Sequence, residues 1–233
     1  MHTNRYTFIY ATILSALTAI VLAFTAEGLK SYQDANIALD TKTNILRSVR
    51  ETATDRATIE KKYAETITEM VLDGEGNVLE NIQANSVNLK EEVAKPAAIR
   101  HLPLYVFSHT DRKKYYIIPM RGVGLWGPIW GYISISDDFD TVYSATFDHK
   151  SETPGLGAEI SEKPFQAQFE GKKIMSGDNF ISVSVLKPNQ KTNYGNEHRV
   201  DGISGGTITS SGTDNMLKNC IEPYLVYFKK LEK

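Results

Sequence analysis

The chain begins with an apolar segment that no later segment matches in length. Residues 6–26 carry no charged side chain, and as a helix they would be roughly 31 Å long at about 1.5 Å per residue, close to the hydrocarbon thickness of a bilayer. A cleaved signal peptide is the alternative, but its apolar region is shorter, and no clean A-x-A site follows. The pattern therefore predicts a transmembrane helix over 6–26, after a cytoplasmic N-terminus of residues 1–5.

The charges beside this segment indicate its orientation. Arg5 and the terminal amine precede it, whereas Glu27, Lys30 and Asp34 follow it. Because positive charge near a span tends to stay on the cytoplasmic side of the membrane, residues 27–233 are expected outside the cytoplasm. The protein would then cross the membrane once.

A change of period separates a helical connector from a strand-rich domain. Apolar residues recur at near-helical spacing within 27–66, which predicts a connector that leads the chain away from the membrane. From residue 67 the apolar runs are short, and the Asp-Gly-Glu-Gly turn at 73–76 predicts a hairpin. Further strands, bounded by Gly, Pro, Asp or Asn, are predicted over 103–109, 114–122, 131–138, 141–149, 172–177 and 181–187.

The last apolar pattern is helical again. Apolar side chains between Met216 and Phe228 predict a closing helix over 214–230, which Pro223 should kink or restart. Thr209 and Ser210 are expected to begin or cap it. The predicted fold class is α+β: one N-terminal transmembrane helix, then a soluble domain of residues 67–233 with a twisted antiparallel sheet and flanking helices.

Composition narrows the classes of function. The chain has 26 basic and 28 acidic residues, so no excess of either sign argues for nucleic acid as a partner. Cys220 is the only cysteine, which excludes an intrachain disulfide, a four-cysteine zinc site and a self-contained iron–sulfur cluster. His149, Glu152 and His198 are interpreted as polar surface, and no metal site is predicted. The basic segment 111–114, DRKK, is expected to be a solvated hairpin tip.

The candidate chemistry lies in the stretch 200–212, VDGISGGTITSSG. Gly202, Ser204 and Gly206 spell G-x-S-x-G, the turn that presents a serine nucleophile in many hydrolases. No histidine follows Ser204, and the α/β alternation of a hydrolase is missing, so this interpretation is disfavoured. Two others remain: a flexible glycine turn before a helix, or a turn and helix N-terminus whose amide groups hold a phosphate esterified to a threonine.

Residues 201–207, DGISGGT, resemble the flavinylation signature D-x-x-S/T-G-A-T of FMN-binding domains. The resemblance implies that a flavin transferase esterifies Thr207 with the phosphate of FMN, so that each chain carries one covalent FMN. Ser204, Gly205 and Gly206 would shape the turn around the phosphate, although Gly206 replaces the usual alanine. Asp201 would serve recognition by the transferase, with an Asx turn as the alternative.

Two further motifs narrow the family. Residues 121–136, RGVGLWGPIWGYISIS, are similar to a G-x-G-L-W-x-x-x-x-G block, and residues 149–160 contain E-T-P-G-L-G intact. With the single span and the chain length, they resemble the C subunits of the sodium-translocating NADH:quinone reductases across essentially the whole chain. The G subunits of the RNF electron-transport complexes are the next most similar family, since they share the anchor, the E-T-P-G-L-G block and the flavinylated threonine.

The two motifs imply six further cofactor-binding residues. One block approaches the isoalloxazine ring of the flavin, and an indole near that ring could pack against it. The alternatives are a proline-glycine turn with structural duties only and a core position for Trp126. The implied residues are Leu125, Trp126, Glu152, Thr153, Leu156 and Gly157.

The resemblance also implies an electron relay. The chain would be a membrane-anchored flavoprotein that passes single electrons through FMN, without a catalytic side chain, inside a complex that oxidises NADH, reduces ubiquinone and exports sodium ions. Its partners would be the other subunits, the flavin transferase and membrane lipid, on the periplasmic side of the bacterial inner membrane. The alternative is a non-catalytic anchored assembly domain in which the motifs survive only as turns.

Overall fold

The computed structural model describes residues 4–108 and 113–232, which form two compact units. The first unit ends at Thr41 and consists of helix α1 (Asn4–Arg47), whose last turns belong to the second unit. The second unit begins at Lys42 and holds every other described element. The hairpin tip predicted at 111–114 lies largely outside the described residues.

Helix α1 contains the segment predicted to span a membrane. It is long and apolar enough to cross a bilayer, with a mean hydropathy of 2.1 in its apolar window. Large apolar side chains such as Phe8 and Phe24 are exposed along it. Thr12, Thr18 and Thr25 each donate their hydroxyl to the carbonyl four residues earlier, at 2.8 Å, so these polar groups need no water. The predicted apolar helix is confirmed.

The helical connector predicted over 27–66 is interrupted. Arg50 adopts a left-handed conformation (φ 62°) and donates its amide to the carbonyl of Arg47 at 2.9 Å, while the following amide donates five residues back. This arrangement is a Schellman-type ending, which stops a helix. The helix resumes as α2 (Arg56–Thr66), after Asp55 has accepted a side-chain cap bond from the first turn.

Five antiparallel strands form the sheet of the second unit, and each pairs with the next strand along the chain. The turn predicted at 73–76 is present, because the amide of Gly76 donates to the carbonyl of Asp73 at 3.0 Å. The chain after this turn forms only an isolated bridge, between Val78 and Leu72. The strand that pairs with β1 along its length is β2. The strands are β1 (Ile67–Leu72), β2 (Leu102–Ser108), β3 (Lys114–Val123), β4 (Pro128–Ile135) and β5 (Val142–His149).

Short elements fill the rest of the second unit. The strands predicted over 172–177 and 181–187 shrink to two or three residues each, because Gly177 and Ser182 adopt left-handed conformations that interrupt extended chain. The last short strand, which pairs in parallel with the strand before it, was not predicted. These elements are α3 (Leu89–Val93), α4 (Lys163–Gln166), β6 (Met175–Ser176), β7 (Asn179–Phe180), β8 (Ser184–Leu186) and β9 (Arg199–Asp201).

The closing helix begins earlier than predicted. Helix α5 (Thr207–Ile221) starts seven residues before position 214. The serine, threonine and glycine residues of its first turns have low helix propensity, which tertiary packing overrides here. Its α-helical hydrogen bonding stops before Pro223, and α6 (Leu225–Leu231) follows after a 3₁₀ turn. The predicted restart at Pro223 is confirmed, as is the α+β class with its antiparallel sheet.

Helix α5 lies against β3 at very close range. A Cβ atom at Gly122 would lie 2.8 Å from the Cβ atom of Met216, and one at Gly212 would lie 2.2 Å from the carbonyl oxygen of Val123. Both positions therefore require glycine. Leu217, on the same helix, is fully buried in the apolar core. This contact carries the first turn of α5 to the end of β3, where the candidate site lies.

Candidate functional site

Three separate segments of the chain meet at the start of α5. They are the turn after β3 (residues 124–127), the loop after β5 (152–157) and the turn before α5 (201–206). A Cβ atom at Gly205 would lie 2.6 Å from Cδ2 of Leu156, and one at Gly206 would lie 3.3 Å from the amide nitrogen of Gly157. The structure thus brings together the three motifs that stand out in the sequence.

Thr207 is the first residue of α5, and its side chain is exposed. Gly206 occupies the N-cap position and has no side chain to offer the helix a hydrogen bond. The first amide groups of a helix have no partner within it, so this end can receive an anion. Gly205, with φ +76°, and the exposed Ser204 turn the chain into the helix.

Thr209 and Ser210 lie in the first turn of α5 and are buried. The hydroxyl of Ser210 accepts a hydrogen bond from the amide of Ile203 at 2.9 Å, which ties the helix to the preceding turn. The residue at the cap itself is Gly206. The prediction that Thr209 and Ser210 begin the helix is therefore approximately correct, although neither is the cap.

A buried carboxyl group lies at the centre of the three segments. Glu152 is only 5% exposed. Its Oε1 atom accepts a hydrogen bond from the amide of Trp126 at 2.8 Å, and its Oε2 atom accepts one from the hydroxyl of Thr209 at 2.5 Å. Its own amide donates to Nδ1 of His149 at 3.1 Å. The side chain of Glu152 is thus engaged inside the protein.

Two of the three segments expose large apolar side chains. Trp126 is 66% exposed, Leu125 is 49% exposed and Leu156 is 42% exposed. The alternative of a core position for Trp126 is therefore wrong. Thr153 is also exposed, whereas Gly157, in the same loop, is buried. Large apolar side chains that remain exposed in neighbouring segments are typical of a ligand or partner site.

Asp201 stands apart from the buried carboxyl group. It ends β9, its side chain is exposed, and its carboxylate pairs with Arg199. Its amide donates to the side-chain oxygen of Gln168 at 2.8 Å, and the amide group of Gln168 donates back to its carbonyl at 3.3 Å. Two hydrogen bonds from the side chain of Gln168 therefore hold the backbone at Asp201, just before the turn.

A cavity of about 320 Å³ opens beside Thr207. Lys187, Gln190 and Asn215 line it together with Thr207 and Ser211. Sequence reasoning missed the first three, since none belongs to a motif and only the folded chain brings them to this side of α5. A larger cavity of about 680 Å³ lies near residues 44–54 and β5, and none of the predicted cofactor-binding residues lines it.

The interpretation of His149, Glu152 and His198 as polar surface is wrong for Glu152 and His198, because both are buried. Nδ1 of His149 contacts the amide of Glu152, and Nδ1 of His198 lies 2.9 Å from the carbonyl oxygen of Lys173. Within residues 4–108 and 113–232, no three His, Cys, Asp or Glu residues are grouped to hold a metal ion.

Comparison with known proteins is decisive at this point. The family described as the FMN-binding domain matches residues 124–222, a range that contains all three segments. The C subunit of the Na(+)-translocating NADH-quinone reductase from Haemophilus ducreyi is 31% identical, over 96% of this chain and 93% of that protein. The chain belongs to the family of C subunits of the Na(+)-translocating NADH-quinone reductase. Of the two families that the sequence resembles, this is the first.

Solved structures support the same family. The C subunit of the Na(+)-translocating NADH-quinone reductase from Parabacteroides distasonis is 39% identical, with a TM-score of 0.77 over 86% of this chain and 96% of that one. NqrC from Shewanella oneidensis, at 18% identity, shares the fold, with a TM-score of 0.71 over 83% of this chain and 96% of that one. The family and the apolar helix α1 together indicate a membrane-anchored C subunit, and the domain match supports FMN as its cofactor.

Proposed function

We propose that this chain is an electron-relay subunit of a Na(+)-translocating NADH-quinone reductase and carries one FMN bound covalently through Thr207. The observation that carries the proposal is that the three motif segments meet at the N-terminus of α5, whose first residue, Thr207, is exposed. The proposal assigns no complete reaction to this chain alone. NADH oxidation, quinone reduction and sodium export would belong to the assembled complex.

The start of α5 suits a phosphate diester. The ester would join Thr207 Oγ1 to the phosphorus of FMN and would retain about one negative charge. The N-terminus of a helix favours negative charge through its partial positive charge and its unpaired amide groups. Gly205 and Gly206, with the exposed Ser204, leave the turn without bulky side chains near that ester. The flavin would then remain attached through every redox cycle.

The exposed apolar surface suits the ring of the cofactor. Leu125, Trp126 and Leu156 would cover the isoalloxazine ring, and Thr153 would hydrogen-bond its polar edge. Glu152 and Gly157 would support these residues from below, since both are buried. When bound, FMN supplies one-electron redox chemistry, and the surrounding hydrogen bonds and exclusion of water tune it.

The proposed placement follows from helix α1. Residues 1–5 would be cytoplasmic, 6–26 would span the inner membrane, 27–66 would lead away from it, and the FMN-binding domain, 67–233, would lie on the periplasmic side. The charges beside the span support this orientation. Partners would be the other subunits, membrane lipid, and a flavin transferase during maturation, which Asp201 would help to recognise.

The first test of covalent attachment is the intact mass of the full chain, purified in detergent after co-expression with a flavin transferase. We expect wild type to gain the mass of one FMN less one water, and Thr207→Ala to gain nothing. Ser211→Ala is the matched control, since Ser211 is an exposed hydroxyl one helical turn further along the same cavity. An unchanged adduct in Thr207→Ala would reject Thr207 as the attachment site.

A second candidate function is an anchored assembly domain without a flavin. Denaturing electrophoresis separates the two, because only a covalently bound flavin leaves a fluorescent band under ultraviolet light. A band at 26.0 kDa that fluoresces in wild type and is dark in Thr207→Ala supports the relay. A dark band in wild type, from cells in which the transferase modifies another substrate, would favour the assembly domain.

A further inference from the structure

Thr209 is a buried hydroxyl that belongs to none of the motifs. It follows Thr207 by two residues, and it is only 1% exposed. Its hydroxyl donates to Oε2 of Glu152 at 2.5 Å, across 57 positions of sequence. Residues two apart on a helix point in different directions, so Thr207 faces outward while Thr209 faces the protein interior. The first turn of α5 is therefore tied to the loop after β5.

The same carboxylate also holds the turn after β3. Oε1 of Glu152 accepts from the amide of Trp126 at 2.8 Å. Two glycines make room for the carboxylate. A Cβ atom at Gly124 would lie 2.6 Å from Oε1, and one at Gly157 would lie 2.3 Å from Oε2. One side chain thus joins the loop after β5 and the turn after β3 to the first turn of α5.

The chemistry of a buried carboxylate makes this arrangement stiff. An ionised oxygen that has left water needs a hydrogen-bond donor, and a bond to a charged acceptor is stronger than a bond between neutral groups. Loss of the hydroxyl of Thr209 would leave Oε2 without this donor in a buried position. We expect the carboxylate to shift toward water and the turn at Trp126 to loosen with it.

We propose that Thr209 and Glu152 are positioning residues that fix Thr207 relative to the turn at Trp126, and through it fix the orientation of the flavin ring. This inference rests on the proposed function only where it concerns the flavin. The clamp itself, defined as the side chains of Thr209 and Glu152 with the amide of Trp126, exists in the chain without a cofactor. Attachment on Thr207 does not require it, because the signature residues 201–207 are unchanged.

The first experiment measures amide hydrogen exchange in the full chain, in detergent and without flavin. Thr209→Val keeps the shape of the side chain and removes the hydroxyl, whereas Thr209→Ser keeps the hydroxyl. We expect exchange at the amide of Trp126 to be roughly 10-fold faster in Thr209→Val and close to wild type in Thr209→Ser. The amide of Ile117, in the centre of the sheet, should be unchanged in both variants.

Two outcomes of this experiment would overturn the clamp. One is wild-type exchange at Trp126 in Thr209→Val. The other is equal acceleration at Trp126 and Ile117, which would mean that the variant weakens the whole fold. Glu152→Gln serves if Thr209→Val does not fold, because glutamine can bond both partners as a neutral group. Glu152→Gln should accelerate exchange at the amide of Trp126 relative to wild type and leave Ile117 unchanged, and no change at Trp126 would contradict the proposal.

The second experiment uses the flavinylated chain. Thr209→Val should carry the full FMN adduct by mass, with a lower fluorescence anisotropy of the flavin and a midpoint potential shifted toward that of free FMN. Thr209→Ser should match wild type in both. If wild type carries no flavin, the proposed function fails while the exchange experiment still decides the clamp. If the adduct forms but anisotropy and potential are unchanged in Thr209→Val, the positioning role fails and the relay stands.

Discussion

The two halves of helix α5 are held in different ways. The half that begins at Thr207 is attached by hydrogen bonds and close glycine contacts around Glu152. The other half is attached by apolar burial, with Leu217 and Ile221 fully buried in the core. Apolar burial is strong but nondirectional, whereas a hydrogen bond to a buried acceptor is weaker and sets an angle and a distance. The C-terminal half of α5 therefore contributes mainly to stability, and the half that begins at Thr207 mainly fixes the geometry of the site.

The largest expected effect belongs to the apolar half. Leu217→Ala should lower the free energy of unfolding by about 2–5 kcal/mol, because it removes transfer free energy and leaves a cavity. Urea unfolding of the full chain in detergent measures this change. Val226→Ala is the control, since Val226 is 43% exposed on α6, and it should cost less than about 0.5 kcal/mol. Equal losses in both variants would contradict the division proposed for α5.

Tyr224, just beyond the apolar half, should show the next largest effect. Its hydroxyl donates to the carbonyl of Pro103 at 2.7 Å, so Tyr224→Phe should cost about 1–3 kcal/mol by leaving that buried carbonyl without its donor. The same residue should govern part of the alkaline stability. Burial raises the pKa of Tyr224 well above its ordinary value of 10.0, and the neutral hydroxyl is favoured in the folded chain.

The sign of this pH dependence follows from linkage. A folded-state pKa above the unfolded value contributes stability that is complete below a pH of about 10 and is lost as the pH rises further. Wild type should therefore lose stability above that pH, and Tyr224→Phe should show a shallower loss. Urea unfolding at a series of pH values tests this. An identical slope in the two proteins would show that Tyr224 ionises equally in both states.

Gly206 allows the glycine contacts of the other half to be tested. It has φ −105°, which alanine can adopt, but a new Cβ atom would lie 3.0 Å from Cγ2 of Ile203. Gly206→Ala should therefore cost about 1 kcal/mol, and Ile203→Ala in the same chain should recover part of that cost. A double-mutant cycle measures the coupling. If the two changes in the free energy of unfolding are strictly additive, contact with Ile203 is not the cause of the cost of Gly206→Ala.

Thr207→Ala should have the smallest effect on stability. Its side chain is exposed at the first position of the helix, so the free energy of unfolding should change by less than about 0.5 kcal/mol, while the flavin adduct is lost. An almost unchanged free energy of unfolding together with loss of the flavin adduct would sharpen the contrast between the two halves of α5. A loss of stability comparable to that of Leu217→Ala would contradict it.

Patterns of apolar residues were sufficient for much of the fold. The uncharged segment in α1, the central strands of the sheet and the restart at Pro223 were all predicted, because each has a strong local signal. The apolar pattern placed the start of α5 too late, and the strand β9 was not predicted. Helix α5 begins in Thr-Ile-Thr-Ser-Ser-Gly, where local propensity disfavours a helix, and β9 depends on a parallel partner that lies more than ten residues away in the chain.

The motifs name candidate residues of the site, but they do not show how the folded chain arranges these residues. The motifs identified Thr207, Trp126 and Glu152, yet nothing in their spacing shows that Glu152 bonds the amide of Trp126 and the hydroxyl of Thr209. The resemblance implies only that Glu152 belongs to the block near the flavin ring, whereas the structure shows the bonds that its buried carboxylate makes inside the protein. Sequence separation explains the gap, because hydrogen bonds between distant segments leave no local periodic pattern.

The bond between Thr209 and Glu152 also bears on the order of events when the protein is made. It joins residues 57 positions apart, and the same carboxylate makes a second bond that spans 26 positions, so it closes only after the sheet and α5 have come together. A peptide of residues 200–212 alone would contain the signature without its surroundings. Because attachment on Thr207 does not need this bond whereas the orientation of the ring does, a flavin held in one orientation would also record that the chain had folded.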